Sequence, residues 1–221
     1  MFKGSSIFNK VLGKSFKSKK SNYSFSNPNI SNNHKVSSSP SSLSRSKLFE
    51  IFEFMNSRLN EEGCYLELYV YGGSVITMIY NDSRTTQDVD SLLKTDDSLI
   101  LNFILNEVRE KFNLDRDWFN SEVKLPLSNL KKEEIIMFKS YSNLKVMVPS
   151  TKQLLAMKIL ASRQSPSKDF EDSILLCKNL DLKDKNEIKD VFLEFLDDEF
   201  LDDKRFKFII KLSEVLFNDS R

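Results

Sequence analysis

At 221 residues, with 40% hydrophobic composition and 18 Phe, the chain can bury a substantial core in one domain or two small ones. No apolar run approaches the ~20 residues that span a bilayer, and no signal-peptide pattern is present. Cys64 and Cys177 match no metal-ligand spacing, so the expectation is two free thiols in a cytoplasmic protein. The net charge of +1 balances two unlike parts. Residues 1–47 carry nine of the 33 basic residues and no acidic one, leaving 24 basic against 32 acidic residues in the remainder. A tail of about +9 therefore precedes a body of about −8. Such an arm suits contact with nucleic acid or an anionic membrane surface; the plainer alternative is a solubilising tail.

Residues 1–46 read as a basic tail, dominated from 21 by Ser and Asn, a composition that cannot offset the ordering entropy of about 1–2 kcal/mol per residue. Phe2, Ile7, Phe8, Val11, Leu12 and Phe16 stand among lysines at rough helical spacing, which fits a basic amphipathic helix or, with the Ser-rich, acid-free composition, an organellar transit peptide. Leu48, Ile51, Phe52, Met55 and Leu59 then recur at helical spacing up to Gly63. Cys64 to Tyr71 reads as a strand, Gly72-Gly73 breaks it, and Val75 to Tyr80 reads as a short helix. Asp88 to Leu93 is a second predicted strand and 97–112 a helix. Ile135–Tyr141 and Leu144–Val148 form a predicted hairpin about Ser142-Asn143. After Pro149 the chain reads as helical over 151–163, 169–180, 185–197 and 203–217. This order implies an α+β core over 47–149 and a C-terminal helical subdomain over 150–221.

The chemistry concentrates where the first strand ends. The folded part holds only three glycines, Gly63, Gly72 and Gly73, and a strand that ends in Gly-Gly and enters a helix presents unpaired N–H groups at the positive end of the helix dipole. Phosphates bind such a terminus, and Ser74 adds a hydroxyl. Asp88 and Asp90, two apart on a predicted strand, point to one face. Paired carboxylates repel unless a cation lies between them, and Mg²⁺ favours one or two carboxylates together with substrate phosphates. The plain alternative is a turn followed by a half-exposed strand.

The pair Gly73-Ser74, a spacer of thirteen residues and Asp88-Val89-Asp90 resemble the nucleotidyltransferase superfamily of DNA polymerase β-type fold. The run Arg84-Thr85-Thr86-Gln87-Asp88-Val89-Asp90, then Val148-Pro149-Ser150, Leu154-Leu155-Ala156-Met157-Lys158, Arg163 and Lys168-Asp169-Phe170-Glu171-Asp172, is similar to the minimal AbiEii/MNT-type toxin proteins. The likeness covers about residues 48–180. It implies a small mixed β-sheet with flanking helices, and Mg²⁺ (one or two ions) on Asp88 and Asp90. It also implies an NTP substrate held by Gly72, Gly73, Ser74, Arg84, Lys158, Arg163 and Lys168, with Asp172 facing the same cleft. The plainer readings are a solvated helix face for Lys158 and Arg163, and for Asp169 and Asp172 a role at the start of their own helix through its dipole. The implied acceptor is RNA, a protein or a small molecule, and the implied setting is toxin or phage-defence activity with an antitoxin-like partner. One departure stands out. The strand Leu144–Val148 lacks the third carboxylate usual in active members, for which Glu133 or Glu134 is the candidate substitute. Without it the alternatives are weak activity, a different base, or a fold that only binds nucleotide, RNA or a partner. Phe192, Leu193, Phe195, Leu196, Phe200, Phe206, Phe208 and Ile209 read as core in preference to a partner interface.

Overall fold

The computed structural model describes residues 42–95, 97–120, 127, 130–162 and 167–217. The chain divides into Met1–Ser38, outside the described residues, and a compact unit over Ser39–Arg221. The basic tail and Arg163 therefore lie outside the described residues, apart from the tail's last few positions. Those belong to the body: Leu43 is fully buried and exchanges backbone hydrogen bonds with Thr86.

Helix α1 (Arg45–Glu61) starts at Ser44, whose hydroxyl accepts from the Lys47 N–H, and buries Leu48, Ile51, Phe52, Met55 and Leu59. Five strands follow: β1 (Leu66–Val70), β2 (Val89–Thr95), β3 (Phe119–Asn120), β4 (Ile135–Ser140) and β5 (Leu144–Pro149). They form a mixed sheet in the order β3-β2-β1-β5-β4, with β1 parallel to β5, β2 parallel to β3, and the β1–β2 and β4–β5 pairs antiparallel. The α+β class and mixed sheet expected from the sequence are thus present.

Alternation sorts the two faces of the sheet. Leu66, Leu68, Val70, Leu144, Val146 and Val148 are buried, whereas Glu67, Tyr69, Asp90, Leu92, Lys145 and Met147 are half-exposed on the other face. Helix α3 (Ser98–Phe112) packs on α1, with Asp97 accepting from the Leu99 and Ile100 N–H groups at its start. The two-residue β3 is too short to carry a period of its own, and the sequence pattern does not predict it. It is held by Trp118, which is 3% exposed and whose carbonyl accepts from the Val89 N–H at 2.7 Å.

Helix α4 (Thr151–Ala161) is the centre of the helical part. Residues 153–160 are all buried, and α5 (Lys168–Asn179), α6 (Lys185–Phe195) and α7 (Asp203–Phe217) pack around it. Phe192, Phe195, Leu196, Phe208 and Ile209 are core, as their periodicity predicts, while Phe206 is partly exposed. Both cysteines are free and buried, and burial raises the Cys177 thiol to about 12. Among the described residues no helix is long and apolar enough to cross a membrane. Truncating Trp118 to Ala should cost about 3–5 kcal/mol, read as a lowered urea midpoint.

Candidate functional site

One end of the sheet gathers the residues the sequence singled out. β1 runs towards this end and β2, antiparallel to it, starts there, so Tyr71 follows β1 directly beside Asp90 and its N–H donates to the Asp90 carbonyl at 2.9 Å. Helix α2 begins at Gly72, one turn earlier than its apolar pattern suggests; Gly72–Val75 is α-helical and runs straight into a π-helical turn over Ile76–Tyr80. Tyr80 at the far end hydrogen-bonds Thr151 through the two hydroxyls at 2.7 Å, tying this helix to the start of α4.

The early start fixes what each residue does. Gly72 has φ +66°, and a Cβ there would stand 2.7 Å from Asp90 Oδ2. The left-handed backbone favours glycine here, and any Cβ would also make the Asp90 carboxylate shift. A Cβ on Gly73 would lie 3.3 Å from Thr86 Oγ1 and 3.7 Å from Arg84 Nη2. Ser74, read from sequence as a donor to phosphate, is 1% exposed and turns inward, donating to the Asp88 carbonyl at 2.7 Å. Thr86 Oγ1 lies 3.2 Å from the same carbonyl and 3.3 Å from Asp88 Oδ1. Asp88 immediately precedes β2 and is exposed; Asp90 is half-buried, with Oδ1 accepting from Asn120 Nδ2 at 3.3 Å. Thr86 and Asn120 were missed as site residues. The Thr85-Thr86 pair and the aromatic Trp118-Phe119 ahead of Asn120 were the available signals.

The later motif meets this end through an ion network. Asp172 is 1% exposed; its Oδ1 is ion-paired with Arg84 Nη1, and its Oδ2 lies 2.8 Å from Lys158 Nζ. Both contacts are ionic in distance without hydrogen-bond geometry. Lys158 also donates to Asp169 Oδ1 at 2.8 Å. Burial lowers the Arg84 pKa, with Glu171 and Asp169 opposing the shift, and the guanidinium stays charged. A cavity of about 240 Å³ opens here, lined by Asn81, Arg84, Thr85, Lys168, Glu171, Asp172 and Leu175. Arg84, Lys158, Asp169 and Asp172 are therefore brought together, with Lys168 at the cavity rim, but Arg84 and Lys158 already carry carboxylate partners.

Glu134 serves a different purpose from the third carboxylate it was read as. Its carboxylate accepts from Ser150 Oγ and Lys132 Nζ, each at 2.8 Å, and those bonds, Lys132 first, hold its pKa below the usual range. Ser150 in turn accepts from the Gln153 N–H, so Glu134 supports the N-terminus of α4. Among the described residues no three His, Cys, Asp or Glu side chains cluster to hold a metal.

The sequence pattern of a family described as nucleotidyltransferase of unknown function (DUF6036) matches residues 46–214, and the chain belongs to that family. It is also similar to the crystal structure of an antigenic nucleotidyltransferase-like protein from Paracoccidioides brasiliensis, at 14% identity over 80% of this chain and 100% of that one, with a TM-score of 0.41. No curated protein matches the chain.

Two glycines test the site geometry. Gly63 has φ +65° in open space, so Gly63→Ala should cost only the backbone strain of about 1–2 kcal/mol. Gly72→Ala should cost more in the same denaturation assay, because Asp90 must also move. Asp172→Ala should destabilise by about 3–5 kcal/mol, because it strips Arg84 of its buried carboxylate and leaves Lys158 with Asp169 alone. Asp169→Ala, at a partly exposed pair, should cost at most about 1 kcal/mol.

Proposed function

We propose that this protein transfers a nucleotide from an NTP to an acceptor hydroxyl, with Mg²⁺ held by Asp88 and Asp90. The observation that carries this reading is the contact between Gly72 and Asp90, which sets a carboxylate against the N-terminal turn of a helix. A helix start beside two carboxylates suits a metal–phosphate ligand. The donor set fits Mg²⁺, a hard ion that takes carboxylate oxygens and shares its remaining positions with phosphate and water. When bound, the ion would neutralise charge on the phosphates and acidify the attacking hydroxyl.

The chain's own residues supply the rest. Ser74 and Thr86 fix the backbone of Asp88 through its carbonyl, which sets where its exposed carboxylate stands. The N–H groups at Gly72 and Gly73, in the first turn of that helix, would receive phosphate oxygens. Arg84, behind Gly73, adds a cation, and Lys168 adds another from the cavity rim. Ser74 is thus assigned to positioning and not to phosphate contact. The resemblance of the motif order to AbiEii-type proteins leans toward an RNA end as acceptor, with a protein hydroxyl or a small molecule as alternatives. A second reading, nucleotide binding without transfer, draws on the pairing of Arg84 and Lys158 with Asp172.

The test is to incubate the full chain with each α-labelled NTP, Mg²⁺ and total RNA. Wild type should label RNA or itself, and EDTA or Asp88→Ala/Asp90→Ala should reduce labelling at least ~100-fold, about 2.7 kcal/mol of transition-state stabilisation. No labelling by wild type, with Mg²⁺-dependent NTP binding intact, would replace transfer with the second reading.

A further inference from the structure

We propose that Asn120 is the third oxygen ligand of the metal site, completing with a neutral amide the set begun by Asp88 and Asp90; this rests on the Mg²⁺ reading above. Asn120 is the register partner of Asp90 across the β2–β3 pair. Directly paired residues present their side chains to the same face, and the two meet: Asn120 Nδ2 lies 3.3 Å from Asp90 Oδ1. The placement is well braced. Trp118, two residues earlier, is buried, its carbonyl accepts from the Val89 N–H at 2.7 Å, and its own N–H donates to the Asp115 carbonyl at 3.3 Å.

The chemistry of the amide makes this contact reversible in sense. An Asn side chain carries an acceptor oxygen and a donor NH₂ on the two sides of one plane, and half a turn about its last bond exchanges them. With no cation present, a carboxylate takes the NH₂ side. With a cation on Asp90, the same side chain turned over presents its oxygen. Neighbouring ligand atoms of an octahedral Mg²⁺ with bonds of 2.0–2.1 Å stand about 3 Å apart, close to the 3.3 Å already set between these two side chains. Asn oxygens are ordinary ligands for hard cations. The expected third carboxylate is thus replaced by a group that a search for acidic clusters passes over.

The replacement has two consequences. Two carboxylates and an amide hold a cation less tightly than three carboxylates, so the ion arrives chiefly with the nucleotide. The amide also cannot take a proton at neutral pH, so Asn120 binds without serving as the base for the acceptor hydroxyl.

Mn²⁺ binding to the full chain, followed by the paramagnetic resonance of the free ion in the presence of a non-hydrolysable NTP analogue, tests the assignment. Asn120→Ala should weaken Mn²⁺ at least about tenfold, on the scale that partners of a metal site command. Asn120→Asp should bind Mn²⁺ more tightly than wild type. It should also melt below wild type without metal, where a third carboxylate meets Asp90, and gain more in melting temperature on adding Mg²⁺. If Asn120→Ala binds Mn²⁺ as wild type does while Asp90→Ala does not, Asn120 is no ligand and the Asp88/Asp90 site stands. If wild type binds no Mn²⁺ with or without the analogue, the Asp88/Asp90 reading itself falls, and this inference with it. Should Asn120→Ala fail to fold, Asn120→Asp decides: affinity equal to or below that of wild type overturns the proposal.

Discussion

Asp90 rests against the backbone of Gly72, where any other residue would put a Cβ 2.7 Å from its Oδ2, and the layout of the site follows from that contact. It draws the start of β2 onto the start of α2, so two carboxylates and a helix terminus share one end of the sheet. Ser74 and Thr86 then close on the Asp88 carbonyl from two directions. The hydroxyls of Ser74 and Thr86 are used to fix Asp88. Most of the polar groups around the pair are thereby committed to geometry, and few to recognition.

The helical part joins this end through charge. Asp172 reaches from α5 to a cation on α4 and to another in the loop before β2. Because the carboxylate is buried, its worth lies less in net stability than in specifying which segments meet. The packing of α4 through α7 supplies the stability, and the ion network supplies the orientation. Arg84, behind Gly73, is consequently held by α5 although it belongs to the sheet half of the chain.

Much of this was legible in the sequence. The strands and helices declared themselves by period, and scarce glycines beside an Asp-x-Asp run marked the site. What was hidden depended on distance along the chain or on phase. Nothing local in Arg84 says that its partner is Asp172, and nothing in Phe119-Asn120 says that two residues suffice to extend a sheet when a buried Trp118 anchors them. The direction of Ser74 turned on whether the helix begins at Gly72 or after Gly73, a shift that a pattern of apolar residues cannot resolve. Ser150 and Gln153 have the Ser-x-x-Gln spacing of a helix start, but nothing local in Glu134 says that it pairs with that cap across sixteen residues.

The π-helical turn over Ile76–Tyr80 carries a consequence for the length of this segment. A π turn accommodates one residue more than an α turn, and each α-helical residue advances the direction of the chain by about 100°. The extra residue sets the angle between the glycines at one end of the helix and Tyr80 at the other, where it meets Thr151. A variant shortened by one residue here could keep every helical hydrogen bond and still aim Tyr80 away from α4. The spacing between Gly72 and Tyr80 is therefore a quantity that natural variation can alter only in compensated steps.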